Sequence, residues 1–118
     1  MSKTIFVDID GTIFKQKDNL SDIFDEELEL LPGVKKAFDN WNWKNYNIII
    51  TTGRRESCRE NTERRLREAG LFWDHLIMGL DAGGQRVIIN DSPTADRVTA
   101  LAFSIPRDKG FEDDICEL

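Results

Sequence analysis

The residues of this chain that could do chemistry gather at three points where an apolar run breaks into a polar turn. These are Thr4-Ile5-Phe6-Val7-Asp8-Ile9-Asp10-Gly11-Thr12, then Ile48-Ile49-Ile50-Thr51-Thr52-Gly53-Arg54, then Arg86-Val87-Ile88-Ile89-Asn90-Asp91. In an extended chain residues two apart point the same way, so Asp8 and Asp10 are expected to project together where the first run ends. Two neighbouring carboxylates repel, and one must take up a proton or share a cation. Asp8, Asp10 and Asp91 are an oxygen-rich, cysteine-free set that suits a hard ion such as Mg2+, which keeps several waters and shares its shell with a phosphate. Thr52, the Gly53 amide and Arg54 can donate to the oxygens of a phosphoryl group. One carboxylate of the pair can attack phosphorus to form an aspartyl-phosphate, and the other can protonate the leaving oxygen and later deprotonate a water.

The elements that must carry these residues can be read from the patterning. Each apolar run is nearly continuous and rich in β-branched residues, as in strands of a parallel sheet buried on both faces. After the first, residues 13–31 mix scattered apolar side chains with charges, suggesting a short hairpin or flap with a turn at Asp18-Asn19 and a solvated acidic shoulder at 25–29. Pro32 marks a helix entry, and Val34, Ala37, Phe38 and Trp41 recur at helical spacing, with Trp41 and Trp43 as aromatic packing at its end. Residues 46–50 form the second strand. Residues 56–69 predict a charged helix stopped by Gly70, its arginines and glutamates paired four apart, as in Arg59 with Glu63 and Arg64 with Glu68. Residues 75–78 suggest a third strand, 86–91 a fourth, 93–102 a helix entered through Ser92 and Pro93, and 101–105 a short fifth strand, with a polar acidic tail beyond Pro106. Strands alternating with helices imply parallel βαβ units in one three-layer α/β/α sandwich with a five-stranded, Rossmann-like sheet over residues 1–118. In such sheets ligands sit beyond the carboxyl ends of the strands, where Asp8, Asp10, Thr52, Arg54 and Asp91 would meet.

At 118 residues the chain suits one domain, and its net charge of −6 argues against nonspecific nucleic-acid binding through a general basic field. No apolar run approaches the roughly 20 residues of a membrane span, and no signal-peptide pattern opens the chain, so a soluble, cytoplasmic protein is expected. Cys58 and Cys116 make no disulfide framework. His75 lacks a histidine or cysteine partner for a metal.

Asp8-Ile9-Asp10-Gly11-Thr12 resembles the first motif of the haloacid dehalogenase superfamily, DxDGT after an apolar strand. Thr52-Gly53-Arg54 is similar to its second motif, and Asp91 with Asp96 to its fourth. The resemblance implies a phosphate-ester hydrolase in which Asp8 is the nucleophile and Asp10 the acid/base, with Asp10 also binding Mg2+ through its backbone carbonyl. It further implies Asp91 as the remaining direct Mg2+ ligand, Thr52 as a phosphoryl-binding residue and Asp96 in support. The third motif is normally a lysine, and Arg86 is the only cation between Gly79 and Asn90, so the role passes to Arg86, a bulkier group with a permanent charge.

Members of that superfamily usually recognise substrate with a cap domain, and neither gap here has room for one. An open site either accepts a large substrate or borrows a neighbouring subunit of a homo-oligomer as a lid. A small phosphorylated metabolite such as a sugar phosphate is the first expectation. A polynucleotide 3′-phosphatase is the alternative, because Thr52-Gly53-Arg54 followed by Glu56, Arg59, Thr62 and Leu66 resembles the phosphatase part of end-healing enzymes. Two readings from other classes are a catalytically silent binding module and a receiver-like phosphoacceptor domain, the latter disfavoured because no Asp follows Ile48-Ile49-Ile50.

Overall fold

A computed structural model describes residues 2–17 and 28–118. Strand β1 (Thr4–Asp8) leads through helix α1 (Val34–Trp43) to β2 (Asn47–Thr51), and a 3-10 turn (Glu56–Cys58) with α2 (Arg59–Glu68) leads on to β3 (His75–Ile77). A short α3 (Asp113–Cys116) closes the chain. The three strands are parallel in the order β1-β2-β3, with Val7 opposite Ile50 and Asp8 opposite Thr51. Both crossovers step in the same direction, so right-handed connections bring α1 and α2 to the same face of the sheet.

The alternation along the strands agrees. Val7, Ile48, Ile50 and Leu76 are buried with Val34, Ala37, Phe38 and Trp41 of α1 and Leu66 of α2. Each large side chain buried in this way stabilises the fold by about 1.5–3 kcal/mol. On the other face, Phe6 and Ile77 remain 50% and 44% exposed. Both helices end on Schellman bonds. Leu71 N–H donates to Leu66 C=O and Gly70 N–H to Arg67 C=O, while Tyr46 N–H reaches Trp41 C=O past a left-handed Asn45. The expected i,i+4 pairs Arg59–Glu63 and Arg64–Glu68 form on α2, at 3.5 and 3.7 Å.

The C-terminal tail is part of the packing. Phe111 N–H donates to Pro32 C=O at 2.8 Å. A Cβ on Gly33 would lie 2.2 Å from Phe111 C=O, and one on Gly110 2.1 Å from Pro32 C=O. The two backbones touch only because both positions are glycine in left-handed conformation, at φ 79° each. Phe111 then stacks at a tilt on Trp41, centroids 6.0 Å apart.

Several expectations are corrected. The sheet has three strands among the described residues, not five, and the helices cover one face, not two. Residues 86–91, 93–102 and 101–105 form neither strand nor helix, and almost all of 81–104 is exposed. Only residues 78–85 separate β3 from Arg86, whereas a parallel crossover takes a dozen or more residues. The stretch 93–102 also holds the β-branched Thr94, Val98 and Thr99, and without a surface to pack on such a helix is marginal. Ser92 is not a helix cap; its hydroxyl lies 2.6 Å from both Thr94 C=O and Arg97 C=O, with one proton to donate between them. Trp41 is buried as expected, but Trp43 is exposed. The turn at Asp18-Asn19 and residues 25–27 of the acidic shoulder lie outside the described residues. The base of the expected hairpin is seen, with Lys15 N–H donating to Glu29 C=O and Leu31 N–H to Ile13 C=O, both at 2.9 Å.

Candidate active site

The carboxyl edge of the sheet collects the polar residues. Asp8 closes β1, and the chain then turns tightly around the Ile9 carbonyl, which accepts from the amides of Thr12, Ile13 and Phe14. Gly11, with φ 81°, makes that turn possible. After β2 the loop is tied to β3, because Thr52 N–H donates to Ile77 C=O, Leu80 N–H to Thr52 C=O and Gly79 N–H to Arg54 C=O. Gly53 is required there: a Cβ would stand 2.9 Å from Leu80 C=O.

Arg54 is the centre of the site. Its Nη2 and Nε donate to the two carboxylate oxygens of Asp10, at 2.7 and 3.0 Å, and its Nη1 donates to Thr62 Oγ1 at 3.1 Å. The guanidinium side chain is 2% exposed and the Asp10 side chain 23%. A planar fork holding both oxygens of one carboxylate fixes that carboxylate in orientation as well as position. Asp8 stands free of this clamp on the bare face of the sheet. Although it opens to solvent, the protein packed around its carboxyl raises its pKa above the ordinary range. The Ile9 amide opposes that rise, the Asp10 charge adds to it, and Arg86 and Arg54 draw it back down.

The sequence-predicted residues divide accordingly. Asp8, Asp10, Gly53 and Arg54 meet at one edge. Arg86 faces Asp8 electrostatically while its Nη1 donates to Asp81 C=O and Gly84 C=O, at 3.2 and 3.1 Å. Thr52 is fully buried beneath the site, its hydroxyl accepting from the Arg54 amide at 3.1 Å, so here it shapes the loop. Asp91 is not brought to Asp8 and Asp10 within one chain. It lies on the exposed stretch, with its carbonyl accepting from Thr99 Oγ1 at 2.6 Å, and Asp96 is exposed there too. Among the described residues no three Asp, Glu, His or Cys side chains converge as a metal cluster. The oxygens of Asp8 and Asp10 suit a hard cation in kind, and the rise in the Asp8 pKa is a burden that a cation would relieve, but one chain supplies too few ligands.

Two residues escaped the sequence reading. Thr51 is half-buried directly opposite Asp8 in the register, so it shares the bare face with that carboxylate. Counting back two residues from the Gly53 turn would have found it. Arg107 lies against Gly11, its Cγ 3.0 Å from where a Cβ would be, and Asp108 N–H donates to Gly11 C=O at 2.9 Å. Nothing in the local pattern of the tail signals that return.

No protein-family profile and no curated protein matches the chain. Solved structures do. A Pnkp1/Rnl/Hen1 complex shares 26% identity and a TM-score of 0.59 over 75% of this chain, which spans 31% of that one. A structure from Vibrio cholerae, 19% identical with a TM-score of 0.55, is matched over 75% of this chain and 79% of its own. A D,D-heptose 1,7-bisphosphate phosphatase from B. bronchiseptica, solved with magnesium and phosphate, is 18% identical over 80% of this chain and 55% of its own, with a TM-score of 0.50. These likenesses support the α/β fold that the resemblance to the haloacid dehalogenase superfamily implies. No helix among the described residues is long and apolar enough to cross a membrane.

Proposed function

We propose that the chain is a Mg2+-dependent phosphate-monoester hydrolase working through an aspartyl-phosphate on Asp8. The observation that carries this reading is the bidentate Arg54–Asp10 pair, which orients a second carboxyl two residues from an unclamped Asp8. Asp8 attacks phosphorus, the bond to the ester oxygen breaks, and Asp10 delivers its proton to the departing alcohol. A water then gives a proton to Asp10 and attacks the same phosphorus, releasing inorganic phosphate and restoring Asp8. Arg54 keeps Asp10 in place through both steps, and Arg86 is the cation nearest to balancing the charge around Asp8. Mg2+, held by Asp8 and Asp10, would neutralise charge on the phosphoryl oxygens.

Two substrate classes compete on this site. A small phosphorylated metabolite is the first, in keeping with the heptose-bisphosphate phosphatase neighbour. The second, a 3′-phosphorylated polynucleotide end, is favoured by one observation: Thr62, part of the pattern that resembles end-healing phosphatases, is wired to Arg54 inside the site. The Pnkp1 complex has the higher TM-score of these two neighbours. Release of phosphate from sugar phosphates, nucleotides and 3′-phosphorylated oligonucleotides with Mg2+ tests both. Turnover abolished by Asp8→Asn supports hydrolysis at this site. A stable phosphoprotein without turnover would mean a receiver-like domain instead, and no reaction with any ester a silent binding module.

A further inference from the structure

The described fold leaves two apolar surfaces bare, and they belong together. One is on the sheet. The outer edge of β1 has no partner strand among the described residues, and the face that carries Phe6 and Ile77 is uncovered. Parallel sheets ordinarily have both faces covered. The other is an arm. Residues 86–104 run out from the body as a doubled-back limb, held by Asn90 Nδ2 to Thr99 C=O at 3.0 Å and Thr99 Oγ1 to Asp91 C=O at 2.6 Å. The arm exposes Val87, Ile89, Val98 and Leu101, and Ile89 is 94% accessible. The molecule is correspondingly long, 49 Å against 28 and 24 Å.

The arm carries the buried-strand pattern Val87-Ile88-Ile89 ending in Asp91, which is the pattern β1's open edge lacks a neighbour for. The arm cannot supply that neighbour within its own chain. Gly79 and Leu80 are bonded to the loop after β2, and Ala82 is packed against Gly53, all at the carboxyl edge of the sheet. Only the four steps from Ala82 to Arg86 then remain, which reach about 14 Å, while a parallel strand that ends with Asp91 beside Asp8 would have to start about 17 Å down from that edge and about 10 Å across, beyond β1. An antiparallel return would carry Asp91 to that opposite end, far from Asp8. A second copy removes the restriction, because its arm arrives from outside.

We propose that two copies of this chain exchange arms, the 86–91 limb of each adding parallel to β1 of the other. Each centre then combines Asp8 and Asp10 of one chain with Asp91 of the partner subunit, in place of the Arg86 that faces Asp8 in the single chain, while Val98 and Leu101 cover the bare face at Phe6 and Ile77. Short connections favour such exchange, and the contact is self-complementary. The parallel direction of the limb and the role given to Asp91 rest on the phosphoryl-transfer reading above; the pairing of two chains through their arms rests on the open edge of β1 and the exposed apolar limb.

Three measurements test it. Light scattering at micromolar concentration is expected to give twice the chain mass of 13.6 kDa, falling to one chain for Ile89→Arg, whose target is too exposed for the change to harm a monomer. Phe6→Cys and Ile89→Cys chains, co-expressed with tags of different size, are expected to form a disulfide between chains. Asp8→Asn and Asp91→Asn chains, each inactive alone, are expected on co-expression to recover about one quarter of wild-type turnover, since half the pairs are mixed and one centre of each mixed pair is intact. A monomeric wild type, or no disulfide between chains, overturns the exchange whatever the activity. A cross-linked dimer without turnover supports the exchange and overturns the hydrolase reading. A cross-linked dimer in which wild type turns over but the mixed variants do not overturns the shared centre.

Discussion

Removing Asp10 is expected to harm the fold far more than removing Arg54, although the two are partners in one ion pair. The asymmetry follows from what each deletion leaves behind. Asp10→Ala strands a guanidinium that is 2% exposed and keeps only the Thr62 hydroxyl among its side-chain acceptors. Breaking a buried pair in that way costs about 3–5 kcal/mol. Arg54→Met strands a carboxylate that is 23% exposed and that water can reach, so the loss is nearer 1–2 kcal/mol. The double variant leaves no buried charge, and it is expected to be more stable than the sum of the single losses by about 2 kcal/mol. Urea unfolding in EDTA, followed by the fluorescence of buried Trp41, measures all four corners of the cycle without interference from bound cation. For a domain near this size a loss of 3 kcal/mol lowers Tm by about 12–24 °C, so thermal melts give a second reading. The reasoning is refuted if Asp10→Ala costs less than Arg54→Met, or if the two losses simply add.

Further outcomes can be checked on the same unfolding curves. Gly110→Ala would drive a Cβ to 2.1 Å from Pro32 C=O in a left-handed backbone, and a loss of at least about 2 kcal/mol is expected, against a few tenths for Gly84→Ala, where the nearest atoms are 3.8 Å away. Leu66→Ala empties a fully buried position and should cost about 2–5 kcal/mol. Burial pushes the Cys116 thiol above its ordinary pKa, so the folded chain holds that proton more tightly than the unfolded one. The resulting stability is complete below the ordinary thiol pKa of about 8.5 and is lost as pH rises through the folded value. Urea midpoints across that range should therefore fall for wild type and flatten in Cys116→Ala. Equal slopes would remove Cys116 from the account.

Asp8, Asp10, Gly53 and Arg54 were legible in the sequence because each follows an apolar run long enough to be a strand, and strand ends in a parallel sheet share an edge. What joins them was not. Arg54 grips Asp10 across 44 positions, a pairing that no local pattern announces. Motif position makes Thr52 a phosphoryl-binding residue but says nothing of its burial, and the register that sets Thr51 opposite Asp8 emerges only when β1 and β2 pair. The fourth strand failed for another reason. Its composition is that of a buried strand, but composition does not measure the connector before it. A few residues tied to the carboxyl edge cannot return the chain to the other end of β1.

The reciprocal contact of Gly33 with Phe111 and Gly110 with Pro32 bears on how this chain can vary. Neither glycine stands at the chemistry, yet each faces another backbone, which no rotamer can move aside. Mutational tolerance around them should be lopsided. Exposed neighbours such as Lys36 and Glu112 can drift freely, while these two positions refuse even a methyl group. In a deep mutational scan read out by abundance, they should be as intolerant as Trp41 and Leu66, marking the fold in variants whose catalytic residues have already been lost.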